Sequence, residues 1–343
     1  MRGDLDPAFG GRLLSVLGAR IDRSDLDFAE PPRRLSGGYS ADLYGFRLAN
    51  SPAGLEGPLV VRLMNDDRAA ARETIIQGTV AALGFPTPHV RLNGPAADGL
   101  GRPFSVMDRL PGTHPVAVSG PFSLWRAFQR VPLMLADTMA ALHALETHAV
   151  LDRLAAAGWT RSELGAEAAL REIERSLPAG AGTSGLNWLR QHRPPAPVRP
   201  VVCHGDLHAF NLLSLKGRIT AVLDWELATV AAGEFDVART AVLLSLVPGP
   251  MSAAARPFVQ ALGRRAAREF KLSYAGMHAI DSQSLRWHEA LRLIVLVAGD
   301  RSGVMSSAVA GLWEPLLPGL ARHFAHASGI EPDLRAISTG TNV

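Results

Sequence analysis

The pattern of apolar residues changes near Pro111, and this change limits the folds open to the chain. Before it, short strand-like runs such as LVVRL surround one helical segment that ends at Gly84, ahead of Pro86. Their order predicts β, β, α, β, β. After it, most segments have helical length and period. We therefore predict an α+β fold, with a small antiparallel sheet and one helix followed by a larger, mainly helical part.

The boundaries follow from the same pattern. We predict an N-terminal lobe at 1–110, a helical C-terminal lobe at 111–330 and a flexible tail at 331–343. Residues up to about 34 are interpreted as an opening helix and a polar connector ending in EPPRR. Short strands are also expected at PVVCH, NLLSL and ITAVLDW, and Lys216, Gly217 and Arg218 are expected to join the last two in a tight hairpin. Helices are predicted after Pro111 at 131–146, 162–177, 184–192, 234–247, 252–271, 282–299 and 303–326.

Composition excludes several classes of protein. A chain of 343 residues that is 47% hydrophobic is too apolar for disorder. The net charge is +3 and no Arg-rich run interleaves with aromatic residues, so no nucleic-acid partner is expected. The longest apolar runs are too short to span a bilayer, so no membrane partner is expected. The single Cys203 and the absence of a signal-peptide pattern favour a reducing cytoplasm.

The stretch HGDLHAFNLLSLKGRITAVLDWE crowds polar side chains into a short span. His204, Asp206 and His208 have an H-x-D-x-H spacing, which on a strand could bring them to one zinc ion. No further Cys or His follows closely to complete such a site. A second interpretation is that these side chains only satisfy buried backbone groups in a tight loop.

The third interpretation is phosphoryl transfer. An Asp, an Asn five positions later and a second Asp after a hairpin strand is the arrangement that kinases use for a base and two metal ligands. Asp206 would accept a hydrogen bond from the substrate hydroxyl and orient it for attack. Asn211 and Asp224 are oxygen ligands suited to Mg²⁺.

CHGDLHAFNLL followed by AVLDWE resembles the aminoglycoside phosphotransferase family, the small-molecule branch of the protein-kinase-like fold. The resemblance covers residues 35–247 and implies a two-lobed kinase-like fold, Mg²⁺ as cofactor and ATP or GTP as co-substrate. LSGGYSADLYGFRL resembles its glycine-bearing hairpin. LVVRLM resembles the strand with its phosphate-contacting cation, here Arg62, and ARETIIQGTVAALG resembles the helix whose carboxylate, here Glu73, pairs with that cation. PFSVMDRLPG resembles its hinge. The residues that this resemblance assigns to nucleotide binding are Gly37, Gly38, Ser40, Arg62, Glu73, Met107, Asp108 and Leu110.

The substrate is expected to be a hydroxylated small molecule. Only eleven residues separate Asp224 from Asp236 and no A-P-E sequence follows, so the long segment that docks a peptide in protein kinases is missing. Basic residues outnumber acidic ones over 113–200 and 240–343, which argues against a polycationic aminoglycoside. A macrolide, nucleoside antibiotic or sugar derivative fits better, and Glu289 and Asp300 are candidate contacts to it.

Two alternatives remain open. One is a metabolic kinase that acts on a sugar, an amino alcohol or a homoserine-like hydroxyl. The other is a nucleotide-binding pseudokinase, against which the intact set of Asp206, Asn211 and Asp224 argues. The expected assembly is a monomer or a homodimer.

Overall fold

The computed structural model describes residues 8–35, 41–116, 120–176, 183–247, 252, 254–299 and 317–330. The chain forms two compact units that are each discontinuous in sequence. The first comprises Met1–Thr113 with Leu213–Glu226, and the second comprises His114–Leu212 with Leu227–Val343. The first continuous segment of this unit ends three residues after the predicted boundary, and the unit also includes the later segment that contains Asp224 and Glu226.

The first unit is built on a five-stranded antiparallel sheet with strand order β1-β2-β3-β5-β4. Its inner strands are mostly buried because both of their edges are paired and each face packs against a helix. The strands are β1 Phe28–Arg34, β2 Asp42–Leu48, β3 Leu59–Leu63, β4 Val90–Gly94 and β5 Phe104–Asp108.

Strand β1 corrects the prediction of a polar connector before Leu35. Its sequence, FAEPPRR, contains two prolines, which cannot donate hydrogen bonds to a neighbouring strand. The strand tolerates them because it lies at the edge of the sheet and pairs on one side only. Its register with β2 also shifts twice, between Phe28 and Glu30 and between Glu30 and Arg33.

Two helices belong to the first unit, α1 Phe9–Ile21 and α2 Asp67–Ala82. Leu13 and Leu17 of α1 are fully buried in the apolar cluster that also contains sheet residues. Helix α2 begins after Asp66, whose side chain accepts a hydrogen bond from the Ala69 amide at 2.6 Å. This cap satisfies a backbone donor that has no partner inside the helix.

A hairpin follows the loop of residues 204–211, which we call the motif loop. Strands β7 Leu212–Leu215 and β8 Arg218–Val222 are joined by Lys216 and Gly217, which both have positive φ. Two such residues form a type I′ turn, whose twist matches that of the paired strands. The sequence prediction of a tight hairpin here is confirmed.

The second unit is mainly helical, as predicted. Two short strands, β6 Val201–Cys203 and β9 Thr229–Ala231, form an antiparallel pair within it. Strand β9 and helix α4 were not predicted, and helix α3 begins ten residues before its predicted start. No helix in the described ranges is long and apolar enough to cross a membrane. The helices of the second unit are α3 Pro121–His143, α4 Thr147–Ala156, α5 Gly165–Ser176, α6 Thr183–Gln191, α7 Gly233–Leu246, α8 Arg256–Ala275, α9 Ser282–Gly299 and α10 Leu317–Ser328.

Candidate active site

The motif loop, residues 204–211, connects β6 to β7 and is fixed through its backbone. The buried Asp236 at the start of α7 accepts hydrogen bonds from the amides of His204 at 2.8 Å and Gly205 at 2.9 Å. Gly205 has φ of +80°, and a Cβ atom there would lie 2.1 Å from the carbonyl oxygen of Leu227. Only glycine fits at this position, because any other side chain would clash with the Leu227 carbonyl group.

Asp236 is held in turn by a buried polar network. His143 Nε2 lies 3.3 Å from its carboxylate, and His143 Nδ1 lies 2.7 Å from the Tyr274 hydroxyl. Burial opposes ionisation of Asp236, but the hydrogen bond and charge of His143 lower its pKa overall. These contacts make Asp236 a structural partner of the motif loop.

The same network includes the one group of metal-type ligands found among the described residues, His143, Cys203 and Asp236. Its atoms are already engaged, because His143 contacts partners through both ring nitrogens and Asp236 binds two amides. Burial raises the pKa of the Cys203 thiol well above its ordinary value, so it stays protonated and is a poor ligand. We interpret this group as a hydrogen-bond network.

The H-x-D-x-H residues are engaged in the same way. His204 is buried and its Nδ1 accepts a hydrogen bond from the Asp206 amide at 3.2 Å. His208 Nδ1 accepts from the Phe210 amide at 3.2 Å, so its Nε2 carries the proton and faces the Asp206 carboxylate at 3.4 Å. These contacts favour the structural interpretation of the histidines over a zinc site.

The Asp206 carboxylate is half-buried, with 27% of the side chain exposed. Arg292 Nη2 of α9 lies 3.3 Å from its Oδ1. Burial alone would raise the pKa of Asp206, but the hydrogen bond from His208 and the charges of Arg292 and Arg239 hold it well below its ordinary value. The carboxylate is therefore ionised at neutral pH, and it is a weak base.

Asn211 closes the motif loop. Its Nδ2 donates a hydrogen bond to the Asp206 carbonyl oxygen at 2.9 Å. Because the amide nitrogen is used in this way, the amide oxygen is the end of the side chain that remains for an external partner. One loop thus presents an ionised carboxylate and an amide oxygen.

Two buried arginines near Asp206 were not predicted from the sequence. Arg239 of α7 donates through Nε to the Gly205 carbonyl oxygen, and its guanidinium lies 5.3 Å from the centre of the Phe235 ring. Arg292 lies 86 positions from Asp206 in sequence. The available signal was an Arg within the apolar segment LRLIVLVAG, since a buried charge requires a partner.

A second charged group lies in the first unit, around Arg62 of β3. The Arg62 guanidinium is buried and lies 3.1 Å from Glu73, 3.0 Å from Asp224 and 3.3 Å from Glu226. The sequence expectation that Arg62 pairs with Glu73 is met in this geometry. Asp224 and Glu226 keep 41% of their side chains exposed.

The pKa values in this group reflect an excess of carboxylates. Burial opposes the charge on Arg62, but three carboxylates outweigh that cost and raise its pKa. Burial raises the pKa of Glu73 to about 7, and the charges of Asp224 and Glu226 add to this effect against the attraction of Arg62. The cation is thus firmly charged, while Glu73 competes with two other acids for it.

Asp224 has a left-handed backbone conformation, with φ of +65°. For a residue other than glycine this conformation costs on the order of 1–3 kcal/mol. The following residue, Trp225, is fully buried and donates from Nε1 to the Thr87 hydroxyl at 2.8 Å. Its ring also packs edge-on against Phe85, at 5.9 Å between centres. Burial of Trp225 therefore holds the strained turn that projects Asp224.

The donor set fits a divalent cation. Asp224 and Glu226 both lie beside Arg62 Nη2 and keep 41% of their side chains exposed, so their carboxylate oxygens are accessible from solvent. Carboxylate and amide oxygens are hard ligands of the kind that Mg²⁺ prefers. No cluster of thiolate and imidazole ligands lies at these residues in the described part of the chain.

The other predicted contacts are placed as follows. Met107 is buried and Leu110 is half-buried. Asp108 pairs with Arg91 at 2.8 Å. Contact of these three residues with the nucleotide stays a prediction. Glu289 is buried and binds Lys271 at 3.0 Å, which favours an internal ion pair over a substrate contact. The predicted site residues that lie outside the described ranges are Gly37, Gly38, Ser40 and Asp300.

Comparison with known sequences identifies related chains. The profile of a family described as "phosphotransferase enzyme family" (APH) matches residues 32–279. A relative from Rattus norvegicus, named acyl-CoA dehydrogenase family member 11, is 28% identical over 176 residues. That alignment covers 49% of this chain and 22% of the relative, so the chain spans well under two thirds of the relative's length.

Comparison with solved structures identifies the fold. A thermostable mutant of aminoglycoside phosphotransferase APH(4)-Ia, in a ternary complex with AMP-PNP and hygromycin B, aligns with a TM-score of 0.57 and 15% identity over 96% of this chain and 99% of that one. Macrolide 2'-phosphotransferase type I aligns with a TM-score of 0.54 and 16% identity over 95% of this chain and 98% of that one. At such identities the likeness concerns the fold, and it confirms the predicted α+β, kinase-like class.

Proposed function

Because the chain belongs to the phosphotransferase enzyme family, we propose that it transfers the γ-phosphoryl group of a nucleoside triphosphate to a hydroxyl of a small molecule. The observation that carries this proposal is the fixed loop that presents the ionised Asp206 carboxylate and the Asn211 amide together. The solved relatives that bind AMP-PNP with hygromycin B, or that are named for macrolides, support a nucleotide co-substrate and a small acceptor.

Asp206 acts mainly by orienting the acceptor. Its carboxylate accepts a hydrogen bond from the hydroxyl and aims the oxygen lone pair along the line of transfer. A weak base suffices because the loose transition state of phosphoryl transfer demands little charge on the nucleophile, so the proton moves late. His208 Nε2–H and Arg292 hold the two carboxylate oxygens in place meanwhile.

We propose Asn211 and Asp224 as the Mg²⁺ ligands, with Glu226 as a further carboxylate beside Asp224 and Arg62 as the contact to the nucleotide phosphates. The ion would neutralise phosphate charge and stabilise the charge that develops in the transition state. Arg62 would add a fixed cation whose planar fork can bind two phosphate oxygens. Glu73 keeps that guanidinium in position.

The acceptor in this proposal is neutral or mildly charged, and its phosphorylation inactivates an antibiotic. A polycationic aminoglycoside would need carboxylates, whereas the buried charged groups beside Asp206 are arginines. A metabolic kinase acting on a hydroxyl of a similar acceptor is the alternative. Expression of the gene in a sensitive host, tested against several antibiotic classes, separates the two roles.

Asp206→Asn tests the reaction itself. It keeps the size of the side chain but removes the charge that orients the hydroxyl, so turnover should fall roughly 10²–10⁴-fold while nucleotide binding is retained. The assay follows the gain of one phosphate on hygromycin B, a macrolide, a nucleoside antibiotic and simple sugars by mass spectrometry. Asp152→Asn, at an exposed position of α4, is the matched control. Undiminished turnover in Asp206→Asn would refute the assignment.

A further inference from the structure

Arg292 is a buried cation with an incomplete set of partners. It lies on α9 with 7% of its side chain exposed, so it is more than nine-tenths buried. Its one ionic contact within the described ranges is from Nη2 to Asp206 Oδ1 at 3.3 Å, at the long end for a charged hydrogen bond. Its Nε is buried and has no hydrogen-bond partner among the described residues. An unpaired donor on a buried charge costs free energy until a ligand satisfies it.

The charge balance around Arg292 points the same way. Arg239 is buried nearby and its charge acts on both Arg292 and Asp206. Arg239 also faces the buried Asp236, whereas Asp206 is the one acid among the described residues that acts on Arg292. Burial, with the repulsion of Arg239, lowers the pKa of Arg292 to about 9, and Asp206 offsets this only in part. The nearest acid on the same helix, Glu289, is occupied by Lys271.

We propose that Arg292 binds an anionic group, a carboxylate or a phosphate, on the acceptor whose hydroxyl is held by Asp206. This inference rests on the proposed phosphotransfer and narrows its substrate class to hydroxylated small molecules that carry a negative charge. A guanidinium whose Nε has no partner among the described residues can donate a hydrogen bond to an oxygen of such a group. The anion would complete the donors of Arg292, and the contact would place the hydroxyl within reach of the neighbouring Asp206.

Anion binding can be measured without knowing the acceptor. The full chain is saturated with Mg²⁺ and AMP-PNP, so that the nucleotide phosphates occupy their own contacts, and is then titrated with inorganic phosphate or butyrate at constant ionic strength. Calorimetry should detect binding of at least one of the two anions to the wild type, and comparison of the two separates phosphate from carboxylate recognition. In Arg292→Gln this binding should weaken at least tenfold, and Arg292→Lys, which keeps the charge but loses the planar guanidinium, should bind with intermediate affinity.

Arg286→Gln supplies the matched control, because Arg286 is exposed on the same helix. It should bind the anions as the wild type does. Equal affinity in wild type and Arg292→Gln, or no anion binding by the wild type, would overturn the inference.

An activity assay separates this inference from a purely structural role of Arg292. Glycerate, 3-hydroxybutyrate and glycerol 3-phosphate are compared with glycerol and 1,3-butanediol as acceptors. Arg292→Gln should raise KM for the anionic acceptors at least tenfold more than for the neutral ones, whereas a role only in holding Asp206 would lower kcat equally for all. Transfer only to neutral or cationic acceptors would overturn this inference and leave the proposed function standing. Anion binding without transfer to any acceptor, hygromycin B and macrolides included, would count against the proposed function instead.

Discussion

Arg62 is the residue whose removal is expected to affect stability and nucleotide binding together. It is buried between Glu73, Asp224 and Glu226, so Arg62→Ala leaves a buried acid without its cation. Loss of one partner of a buried pair costs on the order of 3 kcal/mol. We expect lower stability in urea and a nucleotide KM raised roughly tenfold or more, equivalent to about 1.4 kcal/mol of binding.

A double variant separates the two effects. Arg62→Met with Glu73→Gln removes both buried charges at similar volume, so stability should recover while the nucleotide KM stays high. Arg62→Lys keeps the charge but loses the planar fork, so its nucleotide KM should lie between that of the wild type and that of the double variant. A nucleotide KM unchanged in all three variants would show that Arg62 does not contact the nucleotide.

The residues that sequence could predict are those joined by short spacings. Asp206, Asn211 and Asp224 lie within one motif, and Asp236 lies soon after it. Arg292 could not be predicted because it is brought to Asp206 only by the packing of α9 in the helical unit. Neither the length of that helix nor its period indicates which turn faces the motif loop.

At the scale of elements, segments with clear boundaries were predicted and several others were missed. Helix α2 ends close to Gly84 and Pro86, strands β3 and β5 are short runs with few polar residues, and all three form where expected. Strand β1 was missed because its two prolines argue against a strand unless its position at the sheet edge is known. Strand β9 is only three residues long, and it exists because β6 pairs with it.

Helix α9 contains a titratable group that should make the protein sensitive to acid. His288 is buried against the Phe235 and Trp287 rings and contacts the Ser284 carbonyl oxygen at 2.8 Å. Burial lowers its pKa to about 4. Between pH 6.5 and 4 the unfolded chain binds a proton that the folded chain excludes, so stability falls as pH falls through that window. The loss should reach about 2 kcal/mol at pH 5.

Urea unfolding at pH 7.5 and pH 5 measures this loss. In His288→Gln, which replaces the ring by a neutral amide, the difference in unfolding free energy between the two pH values should shrink by about 2 kcal/mol. His148→Gln is the control, because that side chain is 71% exposed and its removal should change the difference little. An identical pH dependence in wild type and His288→Gln would exclude His288 as the source.

At the scale of the whole molecule, the order of the chain does not follow the division into units. The first unit takes Leu213–Glu226 from the middle of the helical half, and this segment supplies Asp224, Glu226 and the buried Trp225. A division at residue 110, as sequence suggests, would separate Arg62 from two of its three carboxylates. Sequence pattern shows where strands and helices change, but it does not show which unit a short hairpin packs in.

A ligand that binds only the folded chain should raise the free energy of unfolding. At one hundred times its Kd, Mg²⁺ with AMP-PNP should stabilise the chain by about 2.7 kcal/mol, seen as a higher Tm. Asp224→Asn is the informative variant, since Asn tolerates the left-handed backbone found at this position. The variant should fold normally but lose the Mg²⁺-dependent part of the stabilisation, because a neutral amide is a weaker ligand than a carboxylate. Equal Mg²⁺-dependent stabilisation of the wild type and Asp224→Asn would exclude Asp224 as a metal ligand. Metal analysis of the purified protein is a separate check, because tightly held zinc would favour the H-x-D-x-H zinc site instead.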